Sequence, residues 1–264
     1  MSNTSNPDGD VTLDVRGNIG VVTLSRPAAR NAMTLGMYAR LRDITAGIEP
    51  DGTIKALVIT GAGDKAFAAG TDIAKFRDFS TPEHALDYER TMDDVLGSIE
   101  RCAVPTIAAI AGACTGGGAA IAACCDLRIA SRDMRFGFPI ARTLGNCLSV
   151  TNLARVADII GAARTREIIF TARLIEADEA LAIGLVSELL ADHEALMMRA
   201  IELAEHVAGH APLTLRATKE GLRRLRTARE VFDEDLILSC YMSEDFREGL
   251  EAFLSKRPAN FKGR

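Results

Sequence analysis

No stretch of this sequence is both apolar and long enough to cross a bilayer. The best candidate, residues 104–125, is interrupted by glycines and built from small side chains. Positive charge is not in surplus either. The net charge of −5 gives no support to nucleic acid or an anionic membrane as the main partner. Metal-binding patterns are absent: the cysteines at 102, 114, 124, 125, 147 and 240 show no paired zinc spacing. His193, His206 and His210 are not at ligand spacing with any carboxylate, so no metal is expected. Cys124 and Cys125 sit side by side in an apolar run and read as small buried residues. A cytoplasmic protein with reduced thiols is expected. The first ten residues are polar and lack the apolar centre of a signal peptide. No repeat of fixed period and no low-complexity segment is present. What remains is 264 residues, 48% hydrophobic and 25% charged, ample for one sizeable core with a smaller appendage.

The chain is organised around residues 105–126, PTIAAIAGACTGGGAAIAACCD. An apolar run over 106–110 has the character of a buried strand. Gly112 and the triple Gly116-Gly117-Gly118 follow, then small helix-compatible residues from Ala119 to Cys124. This reads as strand, glycine turn, helix. Glycines there either only make the turn or let a ligand approach unpaired N–H groups at the positive end of a helix.

Around this centre, residues 11–16 and 19–24 flank Gly17-Asn18 as a β-hairpin. Thr34 is placed to cap a helix running to about 48. Residues 55–60 form a strand, and 65–73 are a small-residue segment ending at a short helix. Thr81-Pro82-Glu83 starts a helix to about 101. Strands are expected at 127–130 and 134–138, an irregular segment at 140–146, and helices at 148–160, 165–170 and 177–182. A strand at 185–189 and three helices from 193 to 255 complete the order. The class is α/β or α+β.

Four segments are distinctive together: Arg26-Pro27-Ala28-Ala29-Arg30-Asn31-Ala32, residues 65–73 (KAFAAGTDI), residues 112–126, and residues 170–188. In this order and spacing they resemble the crotonase family, the enoyl-CoA hydratase/isomerase superfamily. The C-terminal Pro258-Ala259-Asn260-Phe261-Lys262 is similar to its usual ending. The resemblance implies an α/β spiral of β-β-α units over 11–195 and a helical C-terminal region, 196–264, that trimerises. A homotrimer or a dimer of trimers is implied, with an acyl-CoA thioester as substrate and no bound cofactor. It also implies an oxyanion hole made of the backbone N–H groups of Thr71 and Gly117. Ala28, Ala29 and Arg30 stand in the loop that holds the CoA nucleotide; a lysine common there is replaced by Ala28, and Arg30 is either a phosphate contact or an exposed loop residue. Ala69, Asp72 and Ile73 flank Thr71, and Cys114, Gly116 and Ala120 flank Gly117, as expected neighbours of the substrate.

The family's hydratases carry two catalytic glutamates. The matching positions here are Ala120 and, after Phe136-Gly137-Phe138-Pro139, Ile140. Neither moves a proton, so isomerisation, decarboxylation or thioester cleavage is favoured over hydration, with non-catalytic acyl-CoA binding as the alternative. The segment after Pro139 is one residue longer than usual and brings Arg142, Thr143, Asn146 and Cys147 near the site. Arg142 is a candidate for a second charge on the acyl group. Cys147 is a candidate nucleophile without a neighbouring histidine, or a small half-buried residue. On the helix from Thr81, His84, Asp87, Tyr88 and Glu89 either include one group that faces the acyl chain or form a solvated face. Asp72 is either an acid or a helix cap, and Asp126 matches a structural aspartate. Arg216, Lys219, Arg223, Arg224, Arg226 and Arg229 form a basic stretch, read as a solvated helix face rather than an RNA contact.

Overall fold

The computed structural model describes residues 8–227 and 234–260. The first seven residues, Arg229, Phe261 and Lys262 lie outside the described residues, as does the side chain of Cys240.

The hairpin forms as expected: β1 (Asp10–Arg16) pairs antiparallel with β2 (Ile19–Ser25). Next come α1 (Leu35–Ala46), β3 (Ala56–Gly61), β4 (Ala66–Ala68) and α2 (Pro82–Glu100). Thr34 caps α1 by accepting from the Met37 N–H at 3.2 Å. The centre of the chain is β5 (Thr106–Ile110), β6 (Ala113–Thr115) and α3 (Gly117–Cys124). After it run β7 (Leu127–Ser131), β8 (Arg135–Gly137), α4 (Ile140–Thr143) and α5 (Val150–Phe170).

These strands sort into two sheets. The larger has the order β1-β2-β3-β5-β7-β10, with β10 at Leu189–Leu190 and every pair beyond the hairpin parallel. The smaller has the order β4-β6-β8-β9, with β9 at Ile175–Glu176. Each successive unit therefore places its first strand (β3, β5, β7) in one sheet and its second (β4, β6, β8) in the other. That is the spiral of β-β-α units. The corner at Gly112 shows why glycine is needed: its φ is +57°, and a Cβ there would stand 2.2 Å from the Lys65 carbonyl oxygen.

The parallel strands are buried on both faces, so they read as continuous apolar runs. On β5, Ile107 and Ala109 face α7 (His193–Ala208), which covers them with Leu196, Ala200 and Ala204. Ala108 and Ile110 face the main core with Leu57, Ile59, Leu41 and Val95.

Four differences from the sequence reading have local causes. β6 is a separate three-residue strand between the apolar run and the helix, too short to carry a periodic signal. Residues 140–146 contain one helical turn, α4, rather than irregular chain alone. The strand expected at 185–189 is only β10; Leu185 and Val186 turn back, bonding to the Ala180 carbonyl after α6 (Ala177–Ala182), with Gly184 at φ +75°. The C-terminal part contains four described helices rather than three: α7, α8 (Pro212–Thr227), α9 (Glu234–Tyr241) and α10 (Glu244–Leu254). Gly209 and Pro212 end α7 and open α8. The two helices expected on either side of 161–164 are both present; they run end to end in α5 and are separated at the non-helical Gly161 (φ 79°, ψ 151°).

Candidate active site

Two backbone turns meet where the small sheet ends. β4 and β6 pair in parallel, and the chain leaves them through Gly70 (φ 114°) and Gly116 (φ 52°). A Cβ on Gly116 would lie 3.5 Å from the Gly70 Cα. Thr71 is held by Met33, whose N–H donates to the Gly70 carbonyl and whose carbonyl accepts from the Asp72 N–H, both at 2.8 Å. The Gly116 N–H donates to the Gly137 carbonyl at 3.0 Å, which fixes the second turn. Gly117 then opens α3. First-turn amides of a helix have no intrahelical acceptor, and Gly116 offers no side-chain cap. Among the described residues, neither the Thr71 nor the Gly117 N–H donates to a protein acceptor. Two spare donors thus stand at adjoining turns, one on the positive end of a helix.

They border a cavity of about 210 Å³. The sequence has three tyrosines, and all three line it: Tyr38 from α1, Tyr88 from α2 and Tyr241 from α9. Tyr38 Oη lies 2.9 Å from Thr71 Oγ1, which lies 3.1 Å from Tyr88 Oη. A Cβ on Gly117 would come within 2.0 Å of Tyr38 Oη and 2.9 Å of Thr71 Oγ1, so only glycine fits there. Burial pushes the Tyr38 phenol up to about 12, against the Thr71 hydrogen bond and with help from the Glu89 charge. Burial also holds Tyr88 and Tyr241 well above the ordinary phenol value, with Tyr38 and then Glu89 adding to the rise at Tyr88, and Glu89 and then Tyr88 adding to it at Tyr241. All three remain O–H donors at neutral pH.

One carboxyl faces this cavity among the described residues: Glu89, 6% exposed. Tyr241 Oη donates to Glu89 Oε1 at 2.6 Å and accepts from Asn146 Nδ2 at 3.2 Å. The aromatic wall behind is Phe76 edge-on to Tyr88 (4.9 Å between centroids) and Phe246 against Tyr241 (4.8 Å). The C-terminal helices α9 and α10 therefore fold over the site and supply part of it.

The cavity collects Ala69, Thr71, Ile73, Gly116, Gly117 and Ala120. Pro139, Ile140, Thr143, Asn146 and Cys147 also line it. Three expected neighbours of the acyl group, Cys114, Arg142 and Asp72, lie outside this lining. Cys114 is fully buried in the main core, where burial raises its thiol well above the ordinary value. Arg142 is exposed on α4, away from the lining, because the one-turn helix aims it outward. The Asp72 carboxylate caps the following turn by accepting from the Ala74 N–H (3.1 Å) and pairs with Arg26 (2.8 Å), so it serves as a helix cap. Ala28, Ala29 and Arg30 form a 3-10 turn and its left-handed end outside the cavity.

On α2, His84 and Asp87 are exposed while Tyr88 and Glu89 turn inward. No histidine lines the cavity among the described residues. Asn31 is a staple: it donates to the Ala62 and Ala66 carbonyls (3.1 and 2.7 Å) and accepts from the Arg26 N–H (3.0 Å). Asp126 accepts from the Thr106 N–H (2.7 Å) and from Lys219 Nζ (2.7 Å). Lys219 and Arg226 of the basic stretch are thus ion-paired against the body rather than solvated. Tyr241 was not legible as a site residue, although the scarcity of tyrosine marks it as one of only three.

At the end of a spiral of β-β-α units, two spare amides at adjoining glycine turns thus border one cavity. The chain belongs to the enoyl-CoA hydratase/isomerase family, whose model matches residues 14–264. It is 34% identical over 261 residues to a short-chain-enoyl-CoA hydratase of Clostridium acetobutylicum, covering 97% of this chain and 98% of that one. It is also 34% identical over 257 residues to an (E)-benzylidenesuccinyl-CoA hydratase of Thauera aromatica, covering 96% and 99%. Among solved structures, it is similar to a methylmalonyl-CoA decarboxylase in complex with 2-nitronate-propionyl-CoA. That match has a TM-score of 0.87 and 26% identity over 97% of this chain and 99% of that chain. The protein is an acyl-CoA-processing enzyme of this family.

Proposed function

We propose that the cavity receives the acyl end of a CoA thioester with its carbonyl oxygen between the Thr71 and Gly117 N–H groups. Those donors stabilise the enolate formed when charge leaves the α-carbon. Removing one such donor costs about 3–4 kcal/mol in known cases. The observation that carries this reading is the pair of spare amides facing one cavity. Two relatives are named hydratases, but at the two family glutamate positions the cavity presents Ala120 and Ile140, each 8% exposed. Double-bond isomerisation, decarboxylation or thioester cleavage is therefore favoured over hydration. Arg30, exposed and joined through its carbonyl to the N–H of the cavity-lining Ala69 at 3.0 Å, is offered as a contact for the CoA phosphates.

A second reading, acyl-CoA binding without turnover, is favoured by the same two apolar side chains. Incubation with a panel of acyl-CoAs, followed by mass spectrometry for binding and for product, separates the two: product from any member supports the enzyme, binding alone the binder. Failure to bind any member contradicts both.

The reading extends to a homotrimer or dimer of trimers in the cytoplasm, with 11–195 as the catalytic core and 196–264 as the helical region. It is supported by exposed Phe170, Leu213, Leu222 and Leu225, at 64–78% exposure, which await a covering surface. Light scattering that gives a monomer at micromolar concentration contradicts it. No helix among the described residues is long and apolar enough to cross a membrane.

A further inference from the structure

We propose that Glu89 is the acid–base residue of this cavity and that Tyr241 is its positioning residue; this rests on the enolate reading above. Glu89 is buried on the inner face of α2, in the same cavity as the Thr71 and Gly117 amides. No other carboxyl lines that cavity among the described residues.

Its orientation is determined by a directed chain. The Asn146 amide donates to the Tyr241 oxygen at 3.2 Å, so the Tyr241 hydrogen is left to donate to Glu89 Oε1, at 2.6 Å. The donor comes from α9 and the carboxyl from α2, elements brought together by the aromatic packing of Phe76, Tyr88, Tyr241 and Phe246. A buried polar pair of this kind, 152 residues apart, is expensive to assemble without a use.

One carboxyl near an enolate site performs a proton shuttle and does not perform a hydration, which needs one group to activate water and another to protonate carbon. Of the reactions favoured above, double-bond isomerisation is the one that a single proton shuttle completes, on a CoA thioester whose double bond lies one carbon out of conjugation. Glu89 takes a proton from the α-carbon. The C–H electron pair becomes the carbon–carbon bond of a dienolate, and the negative charge goes to the thioester oxygen between the two amides. Glu89 then returns a proton to the γ-carbon, the electrons move back, and the carbonyl re-forms beside a conjugated double bond. No water, oxidant or reductant is consumed.

The probe is trans-3-hexenoyl-CoA in deuterium oxide, with the 2-enoyl product and deuterium at carbon followed by mass spectrometry and affinity by calorimetry. The unmodified protein is expected to convert it. Glu89→Gln is expected to slow conversion by about 10²–10⁴-fold with affinity retained. Glu89→Asp, which keeps the carboxyl and withdraws it by one methylene, is expected to fall between the two. Tyr241→Phe is expected to lower kcat and leave KM unchanged. Conversion by Glu89→Gln at the unmodified rate overturns the role of Glu89 and leaves the enolate reading standing. An unmodified protein that binds the probe but neither converts it nor places deuterium on it overturns the enolate reading, and Glu89's role with it. If Glu89→Gln does not fold, a Glu89→Asp variant as fast as the parent overturns the proposal.

Discussion

Two cavities lie at opposite ends of α3, and their chemistry is opposite. At the N-terminal end the cavity of about 210 Å³ holds two spare amides, three phenols and one buried carboxyl. At the C-terminal end, under α8, a cavity of about 470 Å³ is lined by Glu100, Asp126, Arg155, Lys219 and Arg226. The larger one has more charge, and its carboxylates Glu100, Asp126 and Asp158 are each ion-paired there. Arg155 donates to Glu100 at 2.8 Å, to Asn152 at 2.7 Å and to Asp93 at 3.2 Å. Arg226 pairs with Glu100, and Lys219 with Asp126. Among the described residues, Arg155 Nε alone is buried there without an acceptor. Unused hydrogen-bonding capacity, rather than size or number of charges, separates a reactive cavity from a structural one.

The comparison breaks most sharply at Gly117. Gly117→Ala places a methyl group against Tyr38 Oη and should lower turnover by about 10²-fold or more, as loss of an oxyanion donor does. Combined with Tyr38→Phe, which removes the clashing oxygen, part of that loss should return. Circular dichroism distinguishes the steric effect from unfolding. A Gly117→Ala enzyme at full rate would show that the turn does not position a donor.

Arg155→Ala probes the other end. It takes one of two cations from Glu100, which keeps Arg226, and the cation from Asp93, and should cost about 3–5 kcal/mol in urea unfolding. Acyl-CoA affinity should not change. A variant of normal stability would mean that the ion-pair cavity is not structural.

Acid should reach the C-terminal cavity through Glu100. Burial pushes its carboxyl up, but hydrogen bonds and charge from Arg155 and Arg226 outweigh this and leave it below the ordinary 4.5. A lowered folded value means stability that is complete above 4.5 and lost as pH falls through the lowered value. The urea midpoint should drop across that range in the unmodified protein and less so in Glu100→Gln. An equal drop in both would remove Glu100 from the cause.

The smallest effect is expected at Thr71→Val. The backbone donor stays and only the hydroxyl between Tyr38 and Tyr88 is lost, about 0.5–1.5 kcal/mol or roughly two- to thirteenfold in rate. A loss as large as that of Gly117→Ala would make the side chain, rather than the amide, the working group.

Local signals carried the sequence reading a long way. The hairpin around Gly17-Asn18, the Thr34 cap, the Pro82 helix start and the strand–glycine–helix centre each depend on neighbours within a few residues. Thr71 and Gly117 were named only through the resemblance to the crotonase family; the glycine turns by themselves left a purely structural reading open. Strands of two or three residues, such as β6, β9 and β10, were not, since they carry no period and exist only through their partners. The Glu89–Tyr241 pair was illegible for the same reason at longer range: nothing near either residue announces the other. Arg142 and Cys114 show the reverse error. Each stands next to a site residue in sequence, but a helical turn points one outward and strand alternation sends the other into the core.

The rate of crotonyl-CoA hydration by the unmodified protein tests the character of the N-terminal cavity most directly. With Ala120 and Ile140 at the two glutamate positions, hydration should be far below the roughly 10 s⁻¹ typical of enzymes, while the thioester still binds. The double change Ala120→Glu with Ile140→Glu should raise it. An unmodified protein that hydrates crotonyl-CoA at about 10 s⁻¹ would contradict the reading of this site as an enolate site without a hydratase pair.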